Sequence, residues 1–120
     1  MLVIRDLLRA SWSEYLDAVS DELRNEAVSI AVGDPASPFV LEAGHMVLEG
    51  LCYDRRNDVF EVAAAQGGPH VPSVLRHRVD HPTRIAVDSP TSLAPTLIEI
   101  DDAEGSRTVV TIGRAAAFSG

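Results

Sequence analysis

The chain has 120 residues and a formal net charge of −8, from 18 acidic against 10 basic side chains. That length is one domain, and a hydrophobic fraction of 46% supports a packed core rather than a disordered segment. The acidity disfavours nucleic acid as a partner, because phosphate binding is driven by counterion release at clustered cations. All ten basic residues are arginine, which excludes lysine chemistry such as a Schiff base or a P-loop.

The amino-terminal MLVIRDLL is interrupted by Arg5 and Asp6, so it lacks the long apolar core of a secretory leader. No apolar run approaches the ~18 residues that span a bilayer, and a soluble cytoplasmic protein is expected. Ser11 with Glu14 three residues on has the form of a capping box, in which each side chain satisfies an orphan amide at a helix start. Trp12, Tyr15, Leu16, Val19 and Leu23 follow at helical spacing as one apolar stripe, opposite Ser13, Asp17, Asp21 and Glu22. The spacing predicts a helix over 11–25, stopped at Asn25.

Ala27 to Val32 reads as a short apolar strand, ended by the turn chemistry of Gly33 to Pro38. Phe39 to Ala43 reads as a brief strand interrupted at Gly44-His45. Met46 to Val62 then carries the clearest pattern of the chain. Val47, Leu51 and Tyr53 alternate with Glu49, and Phe60 and Val62 alternate with Glu61, on either side of the polar turn Asp54 to Asp58. Period-two patterning on both sides of a turn predicts an antiparallel hairpin. Gln66 to Pro72 reads as a mobile loop.

Val74 to Val79 sets Leu75, His77 and Val79 against Arg76 and Arg78, until Asp80-His81-Pro82 breaks the alternation. Thr83 to Asp88 resumes as a strand with Ile85 and Val87 inward. After a loop from Ser89 to Pro95, Leu97 to Asp101 and Thr108 to Ile112 form a second hairpin around a turn whose Gly105 supplies a positive φ. Residues 113–120 read as a tail. One helix followed by strands within 27–112 gives an α+β domain, its helix packed on an antiparallel meander sheet that can curl into a small barrel.

The order of segments resembles a known family. Trp12, Tyr15 and Leu16 form W-x-x-Y-L on the helix, and a VSIAV strand follows. Leu48 to Val62 matches a hairpin of the form L-x-G-L-x-Y-D-x-x-x-D-V-F-E-V. His81 to Ile85 reads H-P-T-R-I, and Leu97 to Val109 closes with L-x-x-I-x-D-x-x-G-x-R-x-V. This set is similar to the small bacterial proteins grouped as domain-of-unknown-function family 5335, over about residues 3 to 112. The resemblance implies a fold and no catalytic residue.

Candidate chemistry is sparse. His77 and His81 would share a face of a helix at the spacing metal sites use. On a strand, however, four residues span ~13 Å, and Pro82 disfavours a helix. His77 is expected to be a semi-buried strand residue and His81 to orient the turn before Pro82. Asp101 to Gly105 has the acidity of a calcium loop, but Ala103 and Ile112 stand where that loop needs ligands. The single Cys52 excludes an internal disulfide or a CxxC metal site. It also shows neither the helix terminus nor the cation that would activate it, which favours a small buried hydrophobe. No metal and no cofactor are expected, and no G-x-S-x-G, Walker, G-x-G-x-x-G or H-E-x-x-H motif occurs.

The feature with most capacity for recognition is cationic. Arg76, Arg78 and Arg84, with His77 and His81, concentrate positive charge in an acidic chain, and Arg76 and Arg78 share a strand face ~6.6 Å apart. Their counter-reading is pairing with the chain's own carboxylates. The sequence is therefore read as a non-enzymatic binding or interaction module that docks a protein partner or an anionic ligand on this face. A small enzyme would need His77 or His81 gathered with a distant carboxylate or Cys52. A small Sm- or SH3-like barrel binding single-stranded nucleic acid would need an exposed aromatic platform, whereas Trp12, Tyr15 and Phe60 occupy core positions.

Overall fold

A computed structural model of the chain describes residues 3–34, 37–66, 73–89 and 91–113, with the backbone alone described for 37–45. The expected loop at 67–72 and the tail at 114–120 lie outside the described residues. Strand β1 is Arg5–Asp6, followed by a 3-10 turn over Arg9–Ser11 and helix α1 over Trp12–Leu23. The strands are β2 Ala27–Asp34, β3 Ser37–Asp54, β4 Val59–Gln66, β5 Ser73–Asp80, β6 Pro82–Val87, β7 Leu97–Asp102 and β8 Arg107–Ile112.

Helix α1 forms on the expected stripe but does not start as expected. Ser11 makes no side-chain cap bond, and its backbone is already helical at φ −96 and ψ −8. The cause is the preceding 3-10 turn, in which the Ser11 amide donates to the Leu8 carbonyl at 2.9 Å and the chain winds straight into the helix. Asn25 does end the element, taking a left-handed φ of 76° while its amide donates to the Leu48 carbonyl at 2.8 Å. Trp12, Leu16, Val19 and Leu23 are buried against the sheet, and Tyr15 is half-buried.

The eight strands form one antiparallel sheet in the order β1-β6-β7-β8-β2-β3-β4-β5. It is two meanders, β2 to β5 and β6 to β8, joined by pairing of β8 with β2, rather than the single meander expected. Two of the expected strands merge: Phe39 to Ala43 and the arm before Tyr53 belong to one 18-residue strand, β3. Gly44-His45 does not interrupt it. Val28 pairs with Met46 and Ile30 with Ala43, so the extra residue is absorbed as a bulge. A second irregularity lies between Leu48, opposite Ala64, and Gly50, opposite Ala63. It flips the alternation, so Leu48 points into the core and Val47 outward at 38% exposure, opposite to the pattern expected of Val47.

The sheet curls. Neighbouring strands lie about 4.8 Å apart, so a flat sheet would hold β5 ~19 Å from β8. Instead, the His77 ring on β5 lies 3.4 Å from the Thr108 hydroxyl on β8. The curl stops short of a closed barrel, since the strand order ends at β1 and β5 with no ladder joining them among the described residues. β5 and β6 are instead one chain path bent at His81, whose φ is 53°. Inside the curl lie Ile30, Leu48, Phe60, Ile85, Ile98 and Ile100, all fully buried. Among the described residues no buried side-chain polar atom lacks a hydrogen-bond partner, as a stable core requires.

Candidate functional site

The bend at His81 gathers a connected polar network. The His81 amide donates to the Asp58 carbonyl at 2.8 Å, and its own carbonyl accepts from the Ala103 amide at 3.1 Å. One residue thereby ties the β3–β4 turn to the β7–β8 turn. Its Nδ1 also lies 3.3 Å from Asp58 Oδ2. The other oxygen, Asp58 Oδ1, accepts from the Tyr53 hydroxyl at 2.6 Å and from the Arg9 guanidinium at 2.9 Å. The Tyr53 hydrogen bond, with help from His81 and Arg9, holds the Asp58 carboxyl below the usual carboxylate range. Burial, then that same hydrogen bond, pushes the Tyr53 phenol up. Arg9 further donates to the Pro82 carbonyl at 3.2 Å and stacks 4.5 Å from the centroid of the Trp12 ring. The cluster therefore pins the helix start to the bend.

Beside the bend is a cleft of about 240 Å³ lying between β5 and the β7–β8 turn. Val32, Val79 and Thr108 line it together with His77, Arg78, Asp80 and His81 from one side and Asp102, Glu104 and Ser106 from the other. The cleft lies below the ~300–1,000 Å³ of small-molecule pockets. Its lining carries three carboxylates and one arginine. Asp102 Oδ1 is engaged by the amides of Glu104 at 2.9 Å and Ser106 at 3.0 Å, confirming turn chemistry where the sequence superficially suggests a calcium loop.

The five residues singled out from sequence do not make one face. His77, Arg78 and His81 line the cleft, whereas Arg76 borders a second groove and Arg84 stands on β6. Nor do the arginines stand without partners. Arg76 donates to Glu61 at 3.0 Å, Arg78 lies 3.8 Å from Asp80, and Arg84 reaches Asp6 at 2.7 Å, Glu99 at 3.0 Å and Asp101 at 3.4 Å. Asp101 is held below its ordinary range first by the hydrogen bonds from Arg107, at 2.7 and 3.1 Å, and then by the charges of Arg107 and Arg84. The sequence offers no sign of this network because its members come from four strands.

Cys52 is exposed rather than buried, since its strand position faces away from Leu51 and Tyr53. It lies in the second groove, of about 310 Å³, with Arg24, Glu49, Glu61 and Arg76. Desolvation, then the carboxylates of Glu61, Asp17 and Asp54, push its thiol up, the reverse of nucleophilic activation. The fold thus brings His81 to a carboxylate, Asp58, but puts Cys52 in a different groove. Of the aromatic side chains described, Trp12, Tyr53 and Phe60 are buried and Tyr15 is half-buried. Among the described residues no group of three or more His, Cys, Asp or Glu side chains could hold a metal ion, and no helix is long and apolar enough to cross a membrane.

Sequence reasoning missed Arg9, Tyr53 and Asp58 as a unit. The available signal was the positive-φ tolerance of Asp and His at two pattern breaks, Asp58 before Val59 and His81 before Pro82.

The described geometry can be set beside known proteins. The chain is similar to a protein of Aquifex aeolicus (strain VF5) described as uncharacterized, at 30% identity over 104 residues, covering 87% of this chain and 86% of that one. No solved structure matches it. A family model described as a family of unknown function, DUF5335, matches residues 3–118. The helix, both meanders and the bend at His81 all lie within that match, and the chain belongs to the DUF5335 family.

Proposed function

We propose that this domain is a non-enzymatic interaction module that takes an extended segment of a protein partner along the outer edge of β5. One observation carries the reading. β5, eight residues long, is the last strand of the sheet, whereas the opposite end is finished by the two-residue β1. A long terminal strand presents backbone donors and acceptors that another strand can pair, and strand addition is a recurrent mode of peptide recognition. β5 is also less buried than β2 or β4, the other eight-residue strands, with Val74 48% exposed. Arg76 and Arg78 flank His77 on that strand, and His81 closes its end. Arg84, held by three carboxylates, takes no part. An anionic ligand is less well matched, since Arg76 and Arg78 already face Glu61 and Asp80.

The test is amide hydrogen exchange on the domain with a partner captured from the native cell at low salt. Slowed exchange across residues 74–80 on complex formation is the expected result. Protection confined to α1 or to the β6–β8 face would overturn the assignment.

A further inference from the structure

We infer that the segment taken by β5 carries a lysine or arginine where it passes Asp80, and that this side chain enters the cleft at the bend. The inference rests on the β5 reading above and adds the partner's chemistry. β5 runs from Ser73 to Asp80, so the cleft lies at its carboxyl-terminal end, and a segment paired along the edge must pass it. The cleft is too small for most ligands but suits one long side chain. Val32 and Val79 offer apolar surface for a methylene stem, and the polar rim receives the head group, as amphipathic cations require.

Charge selects the sign of that head group. Asp80, Asp102 and Glu104 line the cleft against one arginine, Arg78, which sits 3.8 Å from Asp80, too far for a hydrogen bond. Asp80 is 70% exposed at its side chain, and Glu104 makes no ion pair among the described residues. One of these carboxylates, Asp102, is also preorganised. Two amides orient Asp102, and the bond from Ala103 to His81 locks the β7–β8 turn against the end of β5. A cation arriving there meets one fixed acceptor, Asp102, that it does not have to order, which lowers the entropic cost of binding. The charge of −8 steers a basic segment toward the domain from a distance. A second copy of this chain is a poor occupant, because antiparallel β5–β5 pairing centred on His77 would set Arg76 opposite Arg78.

Three capped ten-residue peptides on one alternating Thr/Val frame test this, differing at a single position that is Lys, Ser or Glu. Each is titrated into the isotope-labelled domain at low salt, with amide shifts read by NMR. The Lys peptide should shift amides of 74–80 and 102–106 and bind about five- to tenfold tighter than the Ser peptide, as expected for a few partly exposed ion pairs. The Asp80→Asn/Glu104→Gln variant should lose that preference while binding the Ser peptide unchanged. Equal binding of all three peptides along β5, or a preference for Glu, overturns the basic side chain and leaves the edge reading standing. Shifts absent from β5 with every peptide overturn the edge reading, and the inference with it.

Discussion

Asp58 and His81, 23 positions apart, hold the same left-handed backbone, at φ 55° and 53°, and are bonded to each other through both backbone and side chain. Left-handed conformations put a Cβ close to the following carbonyl, at roughly 1–2 kcal/mol per residue, and Asp and His accept them better than most. Two such residues in contact mark where the curled sheet turns its corner.

His81 should therefore separate backbone from side-chain effects. His81→Gly relieves the left-handed strain while losing an exposed 3.3 Å contact, and should change stability by less than about 1 kcal/mol. His81→Val retains a Cβ and adds branching, so it should destabilise by about 1–2 kcal/mol. Urea midpoints of the two variants check the ordering. Equal losses would mean the imidazole, not the backbone, holds the corner.

Gly50 faces a different constraint. A Cβ there would meet Ser20 Oγ at 3.1 Å, and that hydroxyl accepts the buried Leu51 amide at 3.0 Å. Gly50→Ala should displace the hydroxyl and destabilise by about 1–2 kcal/mol, and Ser20→Ala should destabilise by about 1–3 kcal/mol by orphaning the amide. Because both act on one hydrogen bond, the double variant should lose less than the sum. Strict additivity in a thermal-melt cycle would show the sites to be independent.

Trp12 is 2% exposed, packs edge-on against Tyr53 at 5.1 Å, and donates its indole N–H to the Leu7 carbonyl at 3.3 Å. Trp12→Ala should cost about 3–5 kcal/mol through lost burial and a residual cavity. A loss under about 1 kcal/mol in chemical denaturation would contradict this packing.

The arginines chosen from sequence should prove unequal. Arg76→Ser and Arg78→Ser remove exposed partners of single carboxylates and should shift stability by less than about 1 kcal/mol. Arg84→Ser leaves Glu99 and Asp101, whose side chains are 15% and 24% exposed, sharing Arg107 alone, which stands 3.7 Å from Glu99, and should cost about 1–3 kcal/mol. The Asp101 carboxyl is depressed in the fold, so its stabilisation is present above the ordinary value of 3.8 and fades as pH falls through the lower folded value. Asp101→Asn should thus flatten the acid limb of the stability curve below about pH 4, read by circular dichroism.

Local patterning revealed the elements better than their arrangement. Leu16, Val19 and Leu23 announce a helix, and Leu51, Tyr53, Phe60 and Val62 a hairpin, because burial of one face imposes a period within a few residues. The inward turn of Leu48 depends on a bulge that no single-strand pattern contains. The pairing of Val28 with Ile112 joins residues that share no local signal. The same limit hid the site. His77 and His81 stood out by type, but Asp58, Arg9, Asp102 and Glu104 acquire meaning from where the bend carries them.

The pairing of β1 with β6 sets Arg5 against Val87, and this bears on how the chain acquires its structure in time. Contacts between distant residues form late, because closing a long loop takes entropy before any contact repays it. The chain's first strand should then dock among its last events, after the β3–β4 hairpin, where Leu51 meets Val62. Pulsed amide labelling during refolding should protect Val62 before Val87, and the reverse order would place the amino terminus in the nucleus. Until β1 docks, the outer side of β6 is open as β5 is, so a partly folded chain offers two strand edges where the native one offers a single long one.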